Sequence, residues 1–340
     1  MSTKTVNIQG LSRAAIEYGN YLRTLPYFAL LEEAKKLLIN IYEVNGKHTL
    51  INKRRKADIL RPYRPGLTLG QEKELMKFFE ASLEPERVYA EIVDNITNYS
   101  DVKVISNAGE PVDNKTKKHP LEVLILQSVV LSFAEDVLFN LFHAERDEDT
   151  KSAATSFNGF FYKLNTLIAA SEITAAKGNY TNTGAFGASG DTDYERMVDF
   201  LKSADPLLRR DKVVLYAGEK PMNAVRDSFR HIVGSHDYPT LEQVIVKLRG
   251  DANIPALQVV TSVAYGVGDQ LMLTKPGNLD LGVGNKSDAQ FVKVRDPYED
   301  PNEVQFWIQA EYDTRIQDVH RKVLLVNEQK NASLNLAGDY

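Results

Sequence analysis

Six histidines are the first residues to weigh for chemistry. His231 and His236 stand five apart across Gly234-Ser235, whereas a helical zinc pair stands at i, i+4 with further ligands close by; only Asp237 is adjacent. His119 precedes Pro120 at the entry to a helix. His143 falls at the C-terminal end of that helix, where the macrodipole favours a cation. His48 and His320 sit in a basic loop and a strand without carboxylate partners in the local sequence. The acidic run Glu145, Asp147, Glu148, Asp149 lacks the alternating ligand spacing, glycine and closing Glu of a calcium loop, and reads as a solvated linker. With zero cysteines, disulfides, thiolate metal sites and thiol catalysis are excluded. No Gly-x-Ser-x-Gly elbow, His-Glu-x-x-His motif or dinucleotide fingerprint occurs.

Two glycine-containing turns could serve phosphate chemistry. GNYTNTGAFGASGDTD, residues 178–193, has no Gly-Lys-Ser or Gly-Lys-Thr and reads as a flexible surface loop. After a short buried strand at Val213, Val214, Leu215 and Tyr216, the turn AGEKP leads into a helix with Val225, Phe229 and Ile232. Strand, turn and helix is the layout of many α/β nucleotide sites, but this turn has one glycine and Pro221 removes a donor amide. A soluble α/β enzyme or ligand-binding protein built on Val213 to Met222 stays open as an alternative. No catalytic, cofactor-binding or metal-ligating residue is assigned, and the expectation is that the chain is not an enzyme.

The surrounding elements are mixed. Leu11, Ala15, Tyr18, Leu22 and then Leu30, Leu31, Ala34, Leu37, Leu38 and Ile41 recur at helical steps, and Pro26 is expected to divide that helix in two. KHTLINKRRKADILRPYRPG is basic, carries Pro62 and Pro65, and reads as a solvated loop with a short hairpin. Helices are expected from Leu69 to about Ala81 and from Pro85 through Asn95, followed by a hydrophilic connection from Ser100 to His119. The most hydrophobic element runs from about Leu121 to His143, about 33 Å as a helix and apolar around most of its circumference. Its uncharged run, Val123 to Ala134, is shorter than the roughly 20 residues of a membrane span. Asp191 or Thr192 caps a further helix through Tyr194, Met197, Val198, Leu201 and Ala204.

The chain has 340 residues, 43% of them apolar, enough for one large or two ordinary domains. A formal net charge of −5 argues against affinity built on phosphate neutralisation. The polar stretch Met1 to Gly10 is unlike a secretory signal, and a reducing compartment is the simple expectation for a cysteine-free chain.

The last quarter is the most informative. A loop around Pro276, Gly277 and Asn278 is followed by a Gly-rich turn at Gly282 and Gly284 and by three short strands. The first holds Phe291, Val292 and Val294. In the second, Val304, Phe306, Ile308 and Ala310 alternate with Gln305, Trp307, Gln309 and Glu311, and the third spans Val319 to Val326. Thr274, Pro276, Asn278, Leu279 and Gly282 form a loop resembling TPxNLxxG. This order, followed from about Leu121 onward, resembles the major capsid proteins of tailed phages, whose Hong Kong 97-type shell fold encapsulins share.

The resemblance implies an α+β fold with an N-terminal helical arm (1–45), an extended loop with connecting helices (46–118), a peripheral domain with a long spine helix (119–189 and 291–330), an axial domain (190–290) and a C-terminal tail (331–340). It implies a structural protein that self-assembles through pentamers and hexamers into an icosahedral shell, located in the virion capsid and assembled in the bacterial host cytoplasm. The shell would enclose DNA without sequence-specific binding, need no cofactor and no membrane, and have scaffold, portal or decoration proteins as further partners. Subunit-interface candidates are Lys53, Arg54, Arg55, Lys56, Arg61 and Arg64 in the extended loop, meeting acidic patches on a neighbour, and Leu124 and Phe133 on the long helix. Some members crosslink neighbours through a Lys and an Asn; by position Lys47, Lys53 or Lys56 and Asn302 or Asn327 are the residues to examine. An encapsulin-like compartment shell shares the fold and remains an alternative.

Overall fold

The computed structural model describes residues 8–55, 76–95, 120–150, 152–187, 192–233, 239–284, 292–295 and 303–332. The chain opens with α1 (Ile8–Glu17) and α2 (Gly19–Lys36). The break falls at Tyr18 and not at Pro26, which α2 carries in its interior. Pro26 removes one helical hydrogen bond, and the packing of α2 along a later helix offsets that loss. A left-handed Leu38 (φ 56°) ends the helix in a Schellman turn, with the Leu38 N–H on Lys35 O and the Ile39 N–H on Ala34 O.

Four strands follow: β1 (Asn40–Val44), β2 (His48–Arg55), β3 (Met76–Leu83) and β4 (Glu86–Asn95). Here the expected helices are overturned: both described segments between Met76 and Asn95 are strands. In β4 the decisive period is two, since Val88, Ala90 and Ile92 turn inward while Arg87, Tyr89, Glu91 and Val93 are exposed. The helix-forming Glu and Ala residues of both strands are overridden by ladder pairing.

The apolar helix α3 (Pro120–Asn140) comes next, then α4 (Phe160–Ala169), β5 (Tyr180–Thr181), α5 (Asp193–Ser203) and α6 (Pro206–Arg210). The second half is β6 (Val213–Ala217), α7 (Glu219–Val233), α8 (Leu241–Asp251), β7 (Leu257–Thr261), β8 (Val267–Gly268), β9 (Leu271–Thr274) and β10 (Leu279–Gly284). It ends with β11 (Val292–Arg295), β12 (Glu303–Ile316), β13 (Leu324–Asn327) and β14 (Asn331–Ala332). A reciprocal capping box between Thr240 and Gln243 starts α8.

Two five-stranded sheets organise these elements. In the first, β10 lies between a parallel β1 and an antiparallel β12, and β12 also pairs with β11 and β4. The second has the order β5-β13-β9-β6-β7. These pairings cross the expected domain boundaries: residues 279–284 join the sheet of β12, and β13 joins the sheet of β6 and β9. The second sheet is buried on both faces. Val213, Leu215 and Ala217 pack toward α5, α7 and α8, whereas Val214 and Tyr216 face the larger core that contains α1–α4. The Tyr216 hydroxyl donates to Leu37 O at 2.6 Å, tying this sheet to the end of α2.

The long strand β12 explains how a hairpin is held. Up to Ala310 it alternates, but Glu311 to Ile316 are all buried, because α4 covers one side and the root of β3 approaches the other. Among the described residues β2 and β3 pair only with each other, from His48↔Leu83 at the root to Arg55↔Met76. At that root Arg315, 3% exposed, donates Nη2 and Nε to Asp280 Oδ2 at 2.6 and 2.9 Å, and Nη1 to Ala81 O at 3.0 Å and His48 O at 3.4 Å. Asn40 and Gln317 donate to the other Asp280 oxygen. Two residues earlier, Asp313 accepts from the Glu84 N–H at 2.8 Å and from Lys163 Nζ at 2.9 Å. Leu83 lies over Gly282, 3.3 Å from where a Cβ would stand.

His143 is in the turn after α3, its ring edge-on to Phe161 at 5.0 Å. The expectation of a favoured cation there is reversed: burial pushes its pKa below the ordinary value, only partly offset by a backbone contact with Tyr265.

Three outcomes follow from this packing. Arg315→Ala strands the Asp280 carboxylate in the interior and should cost about 3–5 kcal/mol in chemical denaturation. Gly284→Ala places a Cβ 2.5 Å from Glu311 Cβ and should cost about 1–3 kcal/mol, while Gly282→Ala, whose tightest neighbour is the movable Leu83 side chain, should cost less. His143 binds its proton more weakly folded than unfolded, so its contribution to stability is lost as pH falls through 6.5 and below. Melting temperature should therefore drop less between pH 7.5 and 5.5 in His143→Gln than in the parent protein.

Candidate assembly interface

The residues nominated for chemistry do not converge. Among the described residues no group of three or more His, Asp or Glu side chains could hold a metal ion. His231 lies in the last turn of α7 and is exposed, while His236 and His119 lie outside the described residues. His320 accepts from the Lys322 N–H through Nδ1 in the turn before β13, so the third strand starts at Leu324 and not at Val319. His48 stacks on Tyr42 with ring centroids 5.9 Å apart.

The β6–α7 turn is closed against anions. A Cβ on Gly218 would stand 3.1 Å from Gly266 O and 3.2 Å from Gly268 O, and Lys220 is engaged by the buried Asp269 at 3.0 Å. Two carbonyls and a carboxylate at a helix N-terminus repel the phosphate that such a turn would have to cradle. The TPxNLxxG-like loop is likewise structural. Buried Asn278 donates to Thr274 Oγ1 and Asp318 O and accepts the Asp318 N–H at 2.9 Å, locking the turn to the end of β12.

Of the crosslinking candidates, Asn327 is 1% exposed and fully engaged: Nδ2 donates to Asp269 O and Thr183 Oγ1, and Oδ1 accepts the Leu271 N–H. It is a bracket between strands, out of reach of another subunit. Asn302 and Lys56 lie outside the described residues, and exposed Lys47 forms an ion pair with Glu84 at the hairpin root.

The interface candidates separate into two groups. Lys53, Arg54 and Arg55 occupy β2, opposite Phe78, Lys77 and Met76 of β3; Arg61 and Arg64, like Lys56, fall outside the described residues. On α3, Leu124 is 45% exposed and Leu131, two turns on, lies on the same face and is 42% exposed. Phe133 is corrected: it is 6% exposed, sits in the core and tilts against Tyr312 at 6.3 Å, so it cannot face a neighbour.

A surface missed in the sequence lies on the first sheet. Tyr89 and Val93, both more than half exposed, share the outer face of β4, where Tyr89 stacks on Trp307 at 5.5 Å and Arg295 covers that indole at 4.9 Å. Reading residues 86–95 as a helix hid it, although the alternation Val88, Ala90, Ile92 carried the signal. Also missed were Arg315, Asp280 and Asp313; the polar run Asp313 to Arg315, prolonging an apolar strand, is the trace of two of them. None of the described helices is long and apolar enough to cross a membrane.

No family model matches the sequence, and no curated protein matches it. Solved structures do match. A chain of the satellite phage P4 procapsid including the size determination protein Sid is 13% identical, with 90% of each chain covered and a TM-score of 0.57. A chain of the capsid of Myoviridae phage XM1 is 8% identical, covering 85% of this chain and 90% of that one, with a TM-score of 0.51. With its two sheets, its long apolar helix and its projecting hairpin, the chain has the Hong Kong 97-type shell fold.

Proposed function

We propose that this protein is the major capsid subunit of a tailed double-stranded DNA phage or prophage, a structural protein that closes an icosahedral shell by self-association. The observation that carries the reading is the shared fold along nine-tenths of the chain with a procapsid subunit. Two features of the chain support it. A two-stranded ribbon is marginal by itself in water, yet β2 and β3 form an eight-pair ribbon that, among the described residues, joins no other sheet and bears Ile51 at 59% exposure. Such a ribbon is completed by surface from another copy. The exposed Leu124 and Leu131 on a helix whose other side packs into the core supply a second apolar contact.

The shell would hold DNA as contents, without reading its sequence, in keeping with the net charge of −5. Scaffold, portal or decoration proteins are further partners in this reading. An encapsulin-like compartment would use the same subunit contacts and differ in enclosing a protein cargo.

Sedimentation velocity and negative-stain microscopy of the purified protein across concentration and salt test the proposal. Shells, pentamers, hexamers or tubes are expected; a monomer at every condition contradicts it. Leu124→Asp should fold with stability within about 0.5 kcal/mol of the parent and fail to form shells. Phe133→Asp, burying a charge in the core, should fail to fold, as circular dichroism would report.

A further inference from the structure

We infer that the open edge of the second sheet is a strand-addition groove, and that residues 333–340 of the same chain fill it by pairing antiparallel to β7. β7 is the last strand of that sheet: β6 pairs with one side of it, and no described strand pairs with the other. The Val213 N–H on Ala256 O sets the parity of the parallel ladder, so the outward amides and carbonyls belong to Leu257, Val259 and Thr261. Those of Leu257 are met nearby: its N–H donates to Ile254 O, and its carbonyl accepts from Arg249 Nε at 2.9 Å. Val259 and Thr261 have no backbone partner on that side among the described residues. An edge left in this state is a template for another strand.

The edge lies in a groove of about 480 Å³. Leu38, at the end of α2, stands on the side of the larger core, and Ile245 and Val246 of α8 stand on the other; Val246 is 62% exposed. Val260 and Val259 turn to these two sides in alternation. A strand seated here bonds β7 through its main chain and covers both apolar walls with alternate residues, the two components of strand addition.

The path of the chain selects the occupant. In β14, Asn331 and Ala332 pair antiparallel with Gly268 and Val267, a direction that carries the chain on toward Gly266. Gly266 O and Gly268 O lie 3.1 and 3.2 Å from where a Cβ would stand on Gly218, the residue after β6. The described chain therefore ends over the tip of β6, at the same end of the sheet as Thr261, because β6 and β7 are parallel. Eight residues follow Ala332, about 27 Å at strand rise. One strand spacing of about 4.8 Å and the roughly 17 Å of a five-residue strand fall within that reach. Running back from Thr261 toward Leu257, the segment is antiparallel to β7. In its sequence Leu334 and Leu336 alternate with Ser333 and Asn335, a period of two.

Two measurements on the full-length chain test the pairing, and neither depends on shell formation, so their failure leaves the capsid reading intact. Asn335→Pro with Leu336→Pro removes donor amides of both ladder parities while leaving every described residue unchanged. Amide hydrogen exchange at Val259 and Thr261 should then be at least about tenfold faster than in the parent, with the thermal melt unaltered. Equal exchange in parent and variant overturns the proposal. The chain has no cysteine, so Val246→Cys with Leu334→Cys provides a single thiol pair for a short bismaleimide. In a mixture of isotopically labelled and unlabelled copies, the linked peptides should each carry one label state. Links joining labelled to unlabelled peptides overturn the same-chain assignment and give the groove to residues 333–340 of a second copy. Absence of any link between positions 246 and 334 also overturns the proposal.

Discussion

A guanidinium buried at 3% exposure is the constraint on which the rest of the molecule depends. Removing a cation from water costs several kcal/mol unless its donors are met by good partners. Arg315 finds them in two places: Asp280 on the neighbouring strand, and the carbonyls of His48 and Ala81 on the two strands of the hairpin. Sheet and hairpin root are thereby one unit, since separating them would leave a buried charge with half its hydrogen bonds. Asn40, brought alongside by the parallel β1–β10 pairing, and Gln317 saturate the remaining Asp280 oxygen. Asp313 repeats the device on the same strand, holding the Glu84 amide while Lys163 of α4 balances its charge.

The first sheet and α1–α4 share a large apolar core, and the second sheet buries both faces. The hairpin is fixed at its root, and among the described residues β2 and β3 pair only with each other. A ribbon anchored in this way fits the proposed assembly, in which a second copy would lie against it. The exposed leucines of α3 and the Tyr89–Trp307 face fit the same account, as contact area that a solitary protein would have reason to avoid.

The readable parts of the sequence were those in which one local rule governs. The apolar run of α3 and the alternation of Val304, Phe306 and Ile308 placed a helix and a strand within a few residues of where they lie. The loop from Thr274 to Gly282 and the order of elements after it pointed to the fold. Errors arose where tertiary contacts outvote local preference. Pro26 sits inside a helix because α2 is held along α3, and residues 76–95 form strands because β2 and β12 offer ladders to Glu- and Ala-containing segments. Phe133 and Leu124 look alike in a helix that is apolar on all sides; only packing tells the buried one from the exposed one. The clamp was invisible for a related reason, since its partners are separated by 35 residues for Asp280 and 234 for Ala81.

Amide hydrogen exchange of the hairpin, compared between unassembled subunits and purified shells, addresses the central claim most directly. The account predicts that residues 48–55 and 76–83 exchange rapidly beyond the clamped root in free subunits and become strongly protected in shells, with the sheet around Asp280 and Arg315 protected in both. Equal protection of the hairpin in the two states would contradict it, because the ribbon would then be complete within a single chain.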